Sequence, residues 1–163
     1  MIRQARVREL EAAGRVTQAA WREFERPNDA AWIAYFERLG DAPARAARAV
    51  VLVAVQDGVV IGTATLELER TLEDAELPAH EARMRMLAVA PDCRGRGVGR
   101  KLVEACLERA RAAGKSEMRL HTMDVMVTAE VLYRSLGFER DPGGDFTPAP
   151  GVTALAYKLP LRG

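Results

Sequence analysis

Residues 94–101 carry four cations, Arg94, Arg96, Arg100 and Lys101, and no anion, interleaved with Gly95, Gly97 and Gly99. Glycines remove side chains, so an anionic group can approach the backbone closely. A helix starting at this turn would aim unpaired N–H groups and the positive end of its dipole at the same point. A phosphate or pyrophosphate is the chemistry such a turn serves. Spacing excludes two forms of it. A P-loop follows its lysine with Ser or Thr, whereas Lys101 precedes Leu102. A dinucleotide-binding turn reads GxGxxG, whereas Gly95, Gly97 and Gly99 read GxGxG.

The elements that must position this turn follow from periodicity. Residues 50–56 are a β-branched apolar run, Asp57-Gly58 is a hairpin turn, and Val59-Val60-Ile61 begins the returning arm. Residues 81–90 alternate as a strand until Leu87-Ala88-Val89, where the alternation is lost and a bulge or full burial is expected. The glycine turn then opens a helix with Val98, Leu102, Val103, Cys106 and Leu107 on one face, stopping at Gly114. A strand is expected over 117–123, a helix over 125–136 and two short strands at Phe138 to Arg140 and Val152 to Leu159. Between those two lies a Pro/Gly loop, 142–151, and Leu72 to His80 reads as another loop. Upstream, Met1 to Arg6 is a first strand and 8–26 an amphipathic helix. A second helix is capped by Asp29 and stops at Gly40. The expected class is α/β (α+β): one domain over 1–163, with a mixed, mostly antiparallel sheet of about seven strands and about four flanking helices.

Composition narrows the partners. The chain has 163 residues, 48% hydrophobic and 29% charged, and a net charge of +1. That balance argues against a bulk nucleic-acid or membrane-surface binder, so any basic site is local. No run is long and apolar enough for a transmembrane helix, and the N-terminus lacks a signal-peptide layout, so a cytoplasmic location is expected. Cys93 and Cys106 form no CxxC and no cluster with His at metal-ligand spacing, so neither a metal nor a disulfide framework is expected. Five of the nine aromatics, Trp21, Phe24, Trp32, Tyr35 and Phe36, fall in one 16-residue window. They read either as helix-on-sheet packing or as the wall of a pocket.

Arg94-x-x-Gly97-x-Gly99 fits the pattern Arg/Gln-x-x-Gly-x-Gly/Ala. With its flanks, Met86 to Pro91 and Arg100 to Val103, it resembles the acyl-CoA-binding motif of the GNAT family of N-acetyltransferases. A second segment, Ala129-x-x-Leu132-Tyr133-x-x-Leu136-Gly137-Phe138, resembles the family's second cofactor-contacting region. The element order resembles the family along nearly the whole chain. The tail, Arg140-Asp141-Pro142 through Asp145-Phe146-Thr147-Pro148 and Tyr157, resembles a common bacterial branch of it. One position departs: where many members carry Asn, this chain has Met126.

The resemblance implies acetyl transfer from acetyl-CoA to a primary amine by direct attack in a ternary complex. The acceptor would be a small-molecule amine or a protein amine, and many members are homodimers. Cofactor contacts would fall on Leu87, Ala88 and Val89 of the bulged strand, and on Arg94, Gly95, Arg96, Gly97, Val98, Gly99 and Arg100 of the turn. Tyr133 matches the tyrosine that protonates the leaving thiolate. An alkyl ammonium has a pKa near ~10, so roughly one amine in a thousand is neutral at pH 7 and a base is needed. The family's usual base position holds Arg83, which cannot act as one. The remaining candidates rank Glu81 first, on the same strand face, then His121 and His80. Asp145 and Phe146 are candidates for the far wall of the acceptor site. Two alternatives stand beside this: a module that binds acyl-CoA without catalysis, and a nucleotide-binding domain of another type.

Overall fold

Asp57 and Gly58 both adopt left-handed backbone, with φ of 52° and 76°. They join β2 (Val50–Gln56) to β3 (Val59–Glu67) in the hairpin expected from Asp-Gly between two apolar runs. The computed structural model describes residues 1–69 and 77–161. Its sheet has the order β1-β2-β3-β4-β5-β8-β6, with β7 paired to the far end of β8. The strands are β1 (Ile2–Gln4), β4 (Glu81–Val89), β5 (Glu117–Met123), β6 (Glu139–Arg140), β7 (Phe146–Ala149) and β8 (Val152–Pro160). Every pairing is antiparallel except β4 with β5.

Helices cover both faces, which is why β2 reads as a continuous apolar run. On one face α4 (Val98–Ala112) and α5 (Val127–Ser135) pack Leu102, Cys106 and Tyr133 against Leu52, Leu66, Met84 and Met118. On the other, α1 (Leu10–Trp21) and α3 (Ala42–Ala46) cover Val51, Val53 and Val60 with Leu10, Ala13 and Ala42. The remaining helix, α2 (Ala30–Gly40), is capped by Asp29, whose carboxylate accepts from the N–H groups of Ala31 and Trp32.

The class and the order of elements along the chain match the sequence expectation, with three adjustments. The first helix is shorter than 8–26, because both its ends tighten into 3-10 turns, Val7–Glu9 and Arg22–Phe24. A fifth helix, α3, was not expected: its five alanine-rich residues are too few to show a period. Buried Arg45 on it donates to the carbonyls of Arg38 and Leu39 at 2.7 and 2.9 Å, closing the end of α2. The loop expected at 142–151 contains β7, an eighth strand paired to β8 despite Pro148, as an edge position allows. Residues 72–76 of the loop expected at Leu72 to His80 lie outside the described residues.

Candidate active site

β4 and β5 pair only over three residues each, Glu81–Arg83 against Glu117–Arg119. Beyond Arg83 they separate. The cause is visible in the register of β4 with β3: Thr63 faces Ala88 but Thr65 faces Arg85, so Met86 and Leu87 together oppose Ala64. Met86 takes φ 55° to make this bulge. A bulge bends its strand and increases the local twist, which carries the rest of β4 away from β5. It lies one residue earlier than the loss of alternation at Leu87 to Val89 suggested. Ala90 N–H donates to Ile61 O of β3 at 2.8 Å. Since N–H groups alternate sides along a strand, those of Val89 and Leu87 point the other way, into the gap left by β5. The gap is a cleft of about 530 Å³ lined by Leu87, Ala88 and Val89.

The glycine turn closes one end of this cleft. Gly97 is the N-cap of α4 with φ 78°, a conformation that costs any residue with a Cβ about 1–2 kcal/mol. The N–H of Lys101 is the first to find a helical partner, Gly97 O at 3.1 Å, which leaves the preceding N–H groups facing outward. The helix sits close to the sheet because β3 offers Gly62 beneath it: a Cβ there would lie 2.9 Å from Leu102 Cδ1 and 3.0 Å from Val98 Cγ1. Arg94, Gly95, Gly97, Val98, Gly99 and Arg100 line the cleft. Exposed Arg96 does not, so its expected contact is not supported by the lining. The turn is also less bare of anions than its sequence. Arg94 reaches Glu23 at 3.0 Å and donates to Ala20 O at 3.2 Å, fastening the turn to the end of α1. Arg100 donates to Ser135 Oγ at 2.6 Å.

The opposite wall comes from β5 and α5. Tyr133 lines the cleft although only 5% of it is exposed, edge-on to Phe138 with ring centroids 5.8 Å apart. Burial pushes its phenol well above the usual tyrosine value, so it stays protonated at neutral pH. Thr122, 5% exposed, also lines the cleft, and its Oγ1 is buried without a hydrogen-bond partner among the described residues. Sequence reasoning missed Thr122. A threonine in a strand is ordinary, and only its orphaned hydroxyl marks it. Met126 lines the same wall.

Glu81 is not brought to this site. It lies where β4 and β5 are still paired, buried and held by Arg119 at 2.6 Å and Arg83 at 3.2 Å. Sharing a strand face with the catalytic stretch places it short of the opening, and its ranking as first candidate base is corrected accordingly. His80 stands at the same paired end, its carbonyl accepting from Ser116 N–H. His121 does line the cleft. Its Nε2 is 2.9 Å from Gly144 O, and its ring meets Phe146 edge-on at 5.0 Å. A carbonyl oxygen only accepts, so Nε2 carries the hydrogen and the neutral ring keeps its lone pair on Nδ1. Asp145 is committed elsewhere: it pairs in two-pronged fashion with Arg140 and accepts from Ala156 N–H, which together pull its carboxyl down to about 2. Buried Cys106 is inert, its thiol pushed up to about 12 by burial.

A second, smaller cavity of about 170 Å³ adjoins the cleft and shares Trp21, Phe24, Val125 and Met126 with it. Trp32 and Tyr35 of α2 supply its aromatic wall, so the aromatic window of the sequence is pocket wall as well as packing. Tyr35 Oη lies 3.9 Å from Met86 Sδ, at the bulge itself.

A model described as the acetyltransferase (GNAT) family matches residues 13–138. An IAA acetyltransferase of Azospirillum brasilense is 34% identical over 111 residues, 68% of this chain and 67% of that protein. Among solved structures, a GNAT family acetyltransferase from Brucella melitensis in complex with acetyl-CoA matches with a TM-score of 0.68 at 24% identity, over 100% of this chain and 88% of that one. An N-acetyltransferase from Thermoplasma acidophilum in complex with coenzyme A matches with a TM-score of 0.75 at 15% identity, over 98% of each. The glycine turn, the bulged strand and α5 through Phe138 all fall inside the matched segment, and the chain belongs to the GNAT family of acetyltransferases.

Proposed function

We propose that the chain moves an acetyl group from acetyl-CoA to a primary amine by direct attack, with the splayed β4–β5 cleft as the donor site. The observation that carries this is the open backbone edge of β4 running into the outward N–H groups of α4. A pantetheine arm carries amides that can pair with Leu87 and Val89 as an added strand would. Its pyrophosphate suits the turn, where Gly97, Val98 and Gly99 present backbone and Arg100 adds charge.

The bound thioester supplies an acetyl carbon already open to attack. His121, through Nδ1, removes the proton from the acceptor ammonium and passes it to solvent. The amine lone pair then forms the C–N bond while a backbone N–H at the bulge holds the developing oxyanion. The C–S bond breaks with its electron pair on sulfur, and Tyr133 Oη gives the proton that makes the thiol. The proton shed by the new amide nitrogen returns to Tyr133 through solvent.

Calorimetry with acetyl-CoA and a thiol-release assay over an amine panel test this. A Gly97→Ala variant keeps the backbone strain without a charge, and Gly97→Glu adds a carboxylate facing the phosphates. Affinity for acetyl-CoA should fall tenfold or more from the first to the second. Tyr133→Phe should lower kcat about 100-fold, since a positioned acid contributes at least that much, with acetyl-CoA affinity unchanged. Binding without thiol release from any amine would favour a non-catalytic acyl-CoA module.

A further inference from the structure

From the aromatic cavity beside the bulge we infer that the acceptor is a free α-amino acid with an uncharged apolar side chain no larger than one ring, read by Arg38. This rests on the transferase reading above and names its acceptor class. Size comes first. The cavity is about 170 Å³, and an apolar cavity of about 150 Å³ holds one benzene. A phenyl, isobutyl or thioether group fits, whereas a polyamine offers the aromatic wall no such group.

Position comes second. Tyr35 forms the cavity wall and reaches Met86 of the bulge, so a side chain seated here puts its α-amine at the mouth shared with the donor cleft. His121 and Met123 alternate with buried Leu120 and Thr122 along β5, and Met123 lines the cavity. The His121 ring therefore stands on the cavity's side of the sheet.

Charge comes third. Four charged residues line the cavity, Arg26, Asp29, Arg38 and Asp124. Arg26 and Asp29 face each other at 3.7 Å. Arg38 stacks over the Tyr35 ring at 5.4 Å and has no carboxylate partner among the described residues. The Asp124 side chain likewise has no cationic partner among them. A zwitterion answers both: its carboxylate meets Arg38 and its ammonium meets Asp124 before the proton is lost. A protein N-terminus carries no α-carboxylate and leaves Arg38 unanswered.

The chain has two tryptophans, and both, Trp21 and Trp32, line this cavity. Intrinsic tryptophan fluorescence therefore reports its occupancy without turnover. The enzyme saturated with CoA is titrated with leucine, methionine and phenylalanine, with their amides, with phenethylamine, with spermidine and with a Leu-initiated tripeptide. The free amino acids should shift the emission and bind about tenfold or more tightly than the amides, and thiol release with acetyl-CoA should follow the same order. Arg38→Gln should erase the difference between acid and amide while leaving acetyl-CoA affinity within twofold. Equal binding of acid and amide, or preference for spermidine or the peptide, overturns the assignment. If those amines are acetylated while amino acids are not, the transferase reading stands and the acceptor class falls. Calorimetry showing no acetyl-CoA binding removes both.

Discussion

The ring of His121 donates through Nε2 to the carbonyl of Gly144, 2.9 Å away. That bond fixes the ring and leaves Nδ1 as the free lone pair. Replacing His121 with Ala should lower kcat/KM about 100-fold or more and remove one limb of the pH–rate profile, while acetyl-CoA affinity stays within twofold. An unchanged profile would hand proton removal to a water chain.

Thr122 separates stability from binding. An orphaned buried hydroxyl costs folding free energy, so Thr122→Val should leave the melting temperature unchanged or raised. Its Oγ1 has no exposed surface for a ligand to meet, so acetyl-CoA affinity by calorimetry should stay within twofold. A lower melting temperature would show that the hydroxyl has a partner in the folded protein.

Glu81 belongs to the lock that keeps β4 and β5 together at their paired end. Arg119 there meets Glu81 at 2.6 Å, Glu117 at 2.7 Å and Asp141 at 2.6 Å. Glu81→Gln should leave the pH–rate profile intact and cost about 1–2 kcal/mol of stability, because two carboxylates remain on the guanidinium. Chemical denaturation measures the second quantity. A lost limb of the profile would return Glu81 to the mechanism.

Asp145 predicts an acid transition. Its carboxyl is lowered from 3.8 to about 2, first by the Arg140 hydrogen bonds and then by the Ala156 N–H. A depressed carboxyl stabilises the fold above its unfolded value and loses that contribution as pH falls through the folded one. Stability should therefore decline between about pH 4 and 2, and Asp145→Asn should show a shallower decline over that window. Parallel curves for the two proteins would remove Asp145 from the acid response.

Local chemistry was legible before any fold. Asp-Gly requires a tight turn, glycine spacing marks a backbone open to an anion, and Asp29 before an apolar period marks a helix start. Each is a property of neighbours along the chain, so the turn at Gly95 to Gly99, the hairpin and most elements were readable from residues alone. What the sequence could not carry is distance between segments. Glu81 sits on the expected strand and strand face, yet the β4–β5 register leaves it on the paired side of the opening. Arg94 looks like one of four free cations, until packing of the α1 end brings Glu23 to it. Thr122 is indistinguishable from any strand threonine until the fold buries it and leaves its hydroxyl without a partner among the described residues. Burial, pairing and the separation of two strands are set by tertiary packing, and those three decided which residues line the site.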